Sequence, residues 1–444
     1  MKVDNKLDHY LRQHLSQLKL TALLCLFLEL MNATIITIGD ELLIGQVIDT
    51  NSAWMAQQLN AIGIKVIRRI AVGDNKADIT DALNQERKKA SLIFLTGGLG
   101  PTADDITKPL LTEYFGGHLI ANAEVEAHIR HLFEFTLKKP VTKRNLKQAE
   151  IPSICKPLFN RLGTAPGMLF EDNGLICISL PGVPVEMMGL MEEAVLPELK
   201  KRFNLLPIRH KTIVTFGAGE SVLADMLETF EASLPSSVSL AYLPNHGMVR
   251  LRLSSSDHEA DLENLFAELK SIVNESMIAD EDFTMEQIVS DLLKKNHKQL
   301  ATAESCTGGY IAHLISAIPG ASEYYQGSMI TYSYGAKEKM LGVSHETLIT
   351  YGAVSEQVVI EMANGLLEKV QTDYAVAVSG IMGPGGGMPD KPVGTVWMAA
   401  GRKGNVKARK YQLRFNRSKN IQLTAMFALN MVRESLLEDS TTEA

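Results

Sequence analysis

The sequence is poor in cysteine, with four in 444 residues, at Cys25, Cys155, Cys177 and Cys306. They lie too far apart for a disulfide framework, and no CxxC or Cys/His spacing marks a zinc site. A reducing cytoplasm is the expected setting. Long apolar runs are missing too. The stretch from Leu18 to Leu30 comes nearest, but it is interrupted by Lys19 and Glu29 and falls short of the ~20 apolar residues that a membrane helix needs. No membrane partner is expected. There is no basic block: 44 Lys and Arg against 51 Asp and Glu leave a net charge of −7. Binding a phosphate backbone needs clustered cations, so nucleic acid is not expected as a partner. What is present, 45% hydrophobic and 21% charged residues, is the balance of an ordinary globular protein, and the length predicts two to four domains at ~100–200 residues each.

Residues 1–30 differ in character from the rest. Asp4 and Asp8 dilute Lys2 and Lys6, and no small-residue cleavage site follows, so a signal peptide is not indicated. The expectation is an extension from an upstream start codon, with Met31 as the working start. An added amphipathic helix and a weak membrane anchor are the alternatives.

From Ala33 onward, short apolar runs alternate with helical patterns. Ala33–Ile38 predicts a buried strand, Asn51 a helix cap, Lys65–Ala71 a strand, Lys76–Lys89 a helix and Leu92–Leu95 another buried strand. This βαβαβ order implies a parallel sheet covered by helices, with ligands at the carboxyl ends of its strands. A second unit, about 206–282, reads as a small α+β domain with a hairpin turn at Asn245-His246-Gly247. A third, from about 283 to 444, reads as a separately folding α/β domain.

Two stretches carry chemistry. After the third strand comes Gly97-Gly98-Leu99-Gly100-Pro101-Thr102-Ala103-Asp104-Asp105. Glycines there let backbone approach an anion, and paired carboxylates can hold a hard divalent cation. Asp40, Glu41, Asp49 and Asn51 follow strand ends and should share that rim. The competing reading is a tight turn with Thr102 as helix cap.

The second stretch is Glu304-Ser305-Cys306-Thr307-Gly308-Gly309. A serine at a strand-to-helix turn is exposed beside amides that can hold an oxyanion or a phosphate, here those around Thr307, Gly308 and Gly309. A phosphorylated substrate needs further donors, and the loop holding Gly380, Gly383 and Gly385 is the second supplier. Ser305 needs a base, for which Tyr332 and Lys337 are the nearest candidates and His297, His313 and His345 the alternatives. A lysine serves only if burial or a neighbouring cation lowers its pKa. Cys306 is the rival nucleophile, and capping by Ser305 or Thr307 is the purely structural reading.

These strings resemble the CinA (competence/damage-inducible protein A) family. The front resembles the molybdopterin-binding MoaB/MogA type through Gly39-Asp40-Glu41-Leu42-Leu43, Asp49-Thr50-Asn51, Gly97 to Thr107, Gly163 to Gly167 and Leu180 to Pro184. The back is similar to nicotinamide mononucleotide deamidases through Ala303 to Gly309, Tyr332 with Lys337, Gly352-Ala353-Val354-Ser355, Ser379-Gly380-Ile381 and Lys391 to Val396. The resemblance implies an α/β protein of three parts: a three-layer MoaB/MogA-like domain at 31–205, a KH-like domain at 206–282 and a deamidase-type domain at 283–444. Gly217-Ala218-Gly219-Glu220 lacks the GXXG form, so no RNA binding is expected. The implied activities are hydrolysis of the nicotinamide mononucleotide amide by Ser305, Lys337 and Tyr332 without a cofactor, and pyrophosphate cleavage of ADP-ribose. The latter would use Mg, Mn or Co on Asp104, Asp105 and Glu41. Substrate contacts are expected from Thr307, Gly308, Gly309, Gly380, Gly383, Gly385 and Arg417 behind, and from Gly97, Gly98, Gly100, Thr102 and Asn51 in front. Small nucleotides are the expected partners and a homodimer the expected assembly. Met382, Met388 and Ile421 depart from the family pattern. On them rests the alternative, a non-catalytic nucleotide-binding or scaffold protein linked to competence.

Overall fold

The computed structural model of the chain describes residues 31–102 and 104–442. The segment 1–30, expected to be an extension, lies outside them. The chain forms two compact units, 1–209 and 210–444.

In the first unit, β1 (Asn32–Ile38), β2 (Lys65–Val72), β3 (Leu92–Thr96), β6 (Lys156–Leu158), β7 (Gly167–Asp172) and β8 (Leu175–Leu180) form one sheet in the order β2-β1-β3-β8-β7-β6. The first four run parallel, and β7 and β6 are antiparallel additions. A two-stranded flank pairs β4 (Leu119–Ala121) with β5 (Glu150–Pro152). Strands buried on both faces explain the unbroken apolar runs. Ile35 and Phe94 face Met55, Leu59 and Leu190 on one side, while Ile36 and Ile93 face Ile79, Leu83 and Leu111 on the other. This is a helix–sheet–helix sandwich, as expected from the α/β alternation.

One predicted cap is corrected. The Thr50–Ala61 helix is capped by Asp49, whose side chain accepts from the Ser52 amide. Asn51 sits two residues on, in the first turn, where its amide reaches Gly182 O at 2.8 Å and Thr96 Oγ1 at 3.3 Å. Both residues are good caps in isolation; the neighbouring strand ends, which the sequence does not display, decide between them. Nor does Thr102 cap a helix. The helix begins at Thr107, and the amides of Gly100 and Thr102 are tied to the Asp105 carboxylate.

The second unit has two sheets. The first orders β10 (Val238–Asn245), β11 (Met248–Ser255), β9 (Arg209–Phe216) and β12 (Met277–Ala279), backed by helices Glu220–Ser233 and Leu262–Ile272. The second orders β14 (Tyr325–Ile330), β13 (Leu300–Glu304), β15 (Tyr374–Gly380), β16 (Thr395–Arg402) and β17 (Asn405–Gln412). β13 is parallel to both neighbours, and β15, β16 and β17 alternate in direction. Met285–Lys295 and the long Arg417–Thr442 helix cover one face, and Glu356–Val370 covers the other. Val214 and Met248, from the first sheet, join the apolar cluster beneath Arg417–Thr442.

Among the described residues, no helix is long and apolar enough to cross a membrane.

Candidate functional site

β13 and β15 end side by side, and the chain leaving each turns over the sheet edge. A cavity of about 190 Å³ lies there, lined by Ser305, Cys306, Tyr332, Lys337, Gly380, Met382 and Arg417, with Ala353, Val354 and Ser379 completing the wall. Lys337 opens a wide helical turn, Lys337–Leu341, and is 1% exposed. Its Nζ lies 2.8 Å from Ser305 Oγ and donates to Thr331 O at 2.6 Å. No carboxylate is among these contacts. Burial pushes the amine down from its ordinary 10.5 to about 8, which puts a neutral amine within reach near neutral pH. Cys306, also buried, goes the other way: desolvation pushes its thiol up to about 12. It therefore stays protonated and is a poor nucleophile.

Tyr332 is 65% exposed at the mouth. Its hydroxyl accepts from Arg417 Nη2 at 3.1 Å, while Arg417 Nη1 donates to Gly383 O at 3.0 Å. The structure thus brings Ser305, Lys337, Tyr332, Gly380 and Arg417 to one cavity. His297, His313 and His345 are not among its lining residues. Met382, which departs from the family pattern, lines the cavity, and so do three residues to which the sequence assigns no role, Ala353, Val354 and Ser379. These three lie in Gly352-Ala353-Val354-Ser355 and Ser379-Gly380-Ile381, where the resemblance is the one signal that points to them.

The expected helix amides are placed differently. The helix after Ser305 starts only at Tyr310. Thr307 and Gly309 face Glu304: the Thr307 hydroxyl donates to Glu304 Oε2 at 2.7 Å and the Gly309 amide at 3.0 Å. Their donors are spent inside the fold, because the first free amides of this helix already hold an internal anion. The Gly308 amide donates to Ser305 O. Gly383 offers a carbonyl to Arg417, and Gly385 is not among the lining residues. Among the described residues the amides of Cys306 and Thr307 take no backbone acceptor, so they are the donors beside Ser305 that a developing oxyanion can use.

In the first unit, Gly97 follows β3 with φ +118°, and a Cβ there would sit 2.3 Å from Ile38 O. Only glycine lets this loop lie flat on the neighbouring strand end. The rim beyond it is acidic. Asp40 and Asp74 exchange hydrogen bonds, each backbone amide donating to the other's carboxylate at 3.0 and 3.2 Å. Burial, then the charges of Asp40, Glu41 and Asp104, push the Asp74 carboxyl up. Asp105, expected to be a metal ligand, instead accepts from the Gly100 and Thr102 amides, both at 2.8 Å, and from the Thr102 hydroxyl. Asp74, which the sequence did not single out, occupies the rim in its place. Among the described residues no group of three or more His, Cys, Asp or Glu side chains is placed to hold a metal ion. The buried atoms Asn51 Oδ1 and Thr107 Oγ1 have no hydrogen-bond partner. Buried polar atoms left open in this way suit a bound ligand.

Comparison with known proteins follows the same division. Family models match at three places: the probable molybdopterin binding domain over residues 34–201, the damage-inducible protein CinA KH domain over 210–279, and the CinA C-terminal domain over 282–436. A CinA-like protein of Cytophaga hutchinsonii is 46% identical over 413 residues, which cover 91% of this chain and 98% of that protein. A CinA-like protein of Flavobacterium psychrophilum is 42% identical, covering 92% of this chain and 99% of its own length. The solved structure of competence/damage inducible protein CihA from Agrobacterium tumefaciens is 40% identical over 34% of this chain and 92% of that one, with a TM-score of 0.33. With close relatives matched along nearly their whole length and all three domain models in the order of the fold, this chain belongs to the CinA family.

Proposed function

We propose that the chain is a two-site hydrolase of pyridine-nucleotide salvage. The rear cavity converts nicotinamide mononucleotide to nicotinate mononucleotide and ammonia. The front rim cleaves the pyrophosphate of ADP-ribose with a divalent cation.

One observation carries the first half: Ser305 Oγ lies 2.8 Å from the amine of Lys337, which burial has brought down to about 8. In its neutral form that amine takes the hydroxyl proton while Oγ bonds to the carboxamide carbon. The carbonyl electrons move to oxygen, which the Cys306 and Thr307 amides receive. Collapse breaks the C–N bond, and Lys337 returns the proton to the departing ammonia. Water, deprotonated by the same amine, then splits the acyl-serine ester and frees Ser305. Arg417, held by Gly383 O and the Tyr332 hydroxyl, meets the phosphate at the mouth, and Tyr332 orients that guanidinium. Ammonia release by purified Ser305→Ala tests this mechanism, and turnover near that of the unaltered protein excludes it.

At the front, the oxygens that a hard cation would draw on lie along one rim, but among the described residues no three of them form a site by themselves. Asp40, Glu41, Asp74 and Asp104 would supply oxygen, and an ion there would relieve the raised Asp74 carboxyl, which burial and then its three neighbours push up. An open set of this kind suits an ion that also binds substrate phosphate, as Mg, Mn and Co do. When bound, such an ion screens phosphate charge and acidifies water. Of the expected phosphate contacts, the amides of Gly97, Gly100 and Thr102 already donate to Leu180 O and the Asp105 carboxylate, so the chain's own part falls to the Gly98 amide and to Asn51 Oδ1 and Thr107 Oγ1. Cleavage of ADP-ribose with and without a chelator tests this half, and chelator-insensitive cleavage counts against it.

A further inference from the structure

The carboxylate of Glu304 has no part in the chemistry above, yet it is fully buried one residue from the nucleophile. Oε2 accepts from Thr307 Oγ1 at 2.7 Å and from the amides of Gly309 and Ile311 at 3.0 and 3.1 Å. Oε1 accepts from the Ala312 amide at 2.8 Å, with Ser328 and Thr302 hydroxyls further off at 3.4 and 3.5 Å. Three backbone amides and a hydroxyl thus converge on one side chain. Burying a carboxylate is costly unless every lone pair is met. Here its oxygens are met, by the turn that carries Ser305.

The backbone of the same residue closes a second circuit. Glu304 O accepts from the Thr331 amide at 2.7 Å, Thr331 O accepts from Lys337 Nζ at 2.6 Å, and Lys337 Nζ meets Ser305 Oγ. Ser305 is itself tied back by its amide to Val378 O. The side chain of Glu304 therefore sets the path of residues 305–309, while its carbonyl holds Thr331, whose own carbonyl accepts from the Lys337 amine. The carboxylate also takes up the Gly309, Ile311 and Ala312 amides, which leaves those of Cys306 and Thr307 as the free donors nearest the hydroxyl.

We propose that Glu304 is a positioning residue that acts through Ser305: its carboxylate fixes the turn that aims the hydroxyl at Lys337 and keeps the Cys306 and Thr307 amides open. This rests on the serine–lysine reading of the cavity. Substrate-facing groups such as Arg417, Gly380 and Met382 come from other segments, so the effect falls on the chemical step and spares binding.

The test uses the full chain with p-nitrophenyl acetate, a small activated ester that reports acylation of Ser305 without needing the nucleotide, and with nicotinamide mononucleotide in parallel. Ser305→Ala sets the background. Glu304→Gln keeps shape and one acceptor oxygen but turns an NH₂ toward at least one backbone N–H. Its acylation rate is expected to fall about 100-fold, the scale on which a misplaced reacting group loses rate, with KM for the nucleotide within about twofold. Thr307→Val removes one donor and is expected to slow acylation about fivefold, and it serves alone if Glu304→Gln does not fold. Acylation at the unaltered rate in a folded Glu304→Gln overturns the proposal, as does a loss confined to KM. If the unaltered protein is acylated in a Glu304-dependent way but releases no ammonia, the positioning role stands and the deamidase reading fails.

Discussion

The two candidate sites solve the problem of charge in opposite ways. The rear cavity buries one lysine against neutral partners, Ser305 Oγ and Thr331 O, and desolvation alone brings its amine into the working range. The front rim brings Asp40, Glu41, Asp74 and Asp104 to one edge, where partial burial first and the neighbouring carboxylates second push the Asp74 carboxyl up. The rear site therefore carries its own base in a finished geometry. The front site holds unbalanced negative charge that a cation would balance. On the proposed function, burial sets the chemistry of one, and a bound ion would set that of the other.

The sharpest break in this comparison comes from Ser305→Ala. Ammonia release should fall by about 10⁵-fold, the scale seen when a nucleophile is removed, while ADP-ribose cleavage by the same preparation is unchanged. Lys337→Met should cost about 10³-fold in ammonia release and at the same time stabilise the fold at neutral pH by about 1–2 kcal/mol, read by denaturant titration. The sign follows from linkage. The unfolded lysine keeps its proton up to 10.5 and the folded one to about 8. Stability of the unaltered protein thus rises with pH between those values, and the full cost of burial remains below them. At the front, Asp104→Asn should lower ADP-ribose cleavage about 100-fold and leave the melting temperature in place. Asp105→Asn should lower both, because it leaves the Gly100 and Thr102 amides facing an NH₂ in place of an acceptor.

Smaller effects refine the picture. The kcat/KM for amide hydrolysis should rise about twentyfold from pH 6.5 to 8.5, as the neutral fraction of an amine near 8 increases. A profile without an inflection in that window would remove Lys337 as the base. Arg417→Lys should raise KM for the nucleotide about tenfold with little change in kcat, since one planar guanidinium serves both Gly383 O and Tyr332.

Much of this was legible in the chain. The apolar runs Ala33–Ile38 and Leu92–Leu95 announced doubly covered strands, and β1 and β3 have no exposed apolar face. Ser305 and Lys337, 32 residues apart, were singled out because serine at such a turn needs a base. Their separation, like the depressed pKa of the amine, depends on β13 and β14 lying side by side. Asp74 could not be found by spacing. It stands 34 residues from Asp40, and only the pairing of β1 with β2 places the two loops together. Asp105 looked like a ligand because carboxylate type is visible and its hydrogen-bond partners are not. Glu304 lay within the quoted motif, but a buried carboxylate and an exposed one are written with the same letter.

Residue order by itself determined which segments are strands and helices, where the chain must turn on glycine, and which hydroxyl and amine were available for chemistry, because these follow from local sterics and apolar periodicity. Tertiary structure decided which carboxylates face one another, which amides remain free beside Ser305 and how far the Lys337 amine is pushed down. Those quantities depend on desolvation and on distances across strands, which no stretch of neighbouring residues contains.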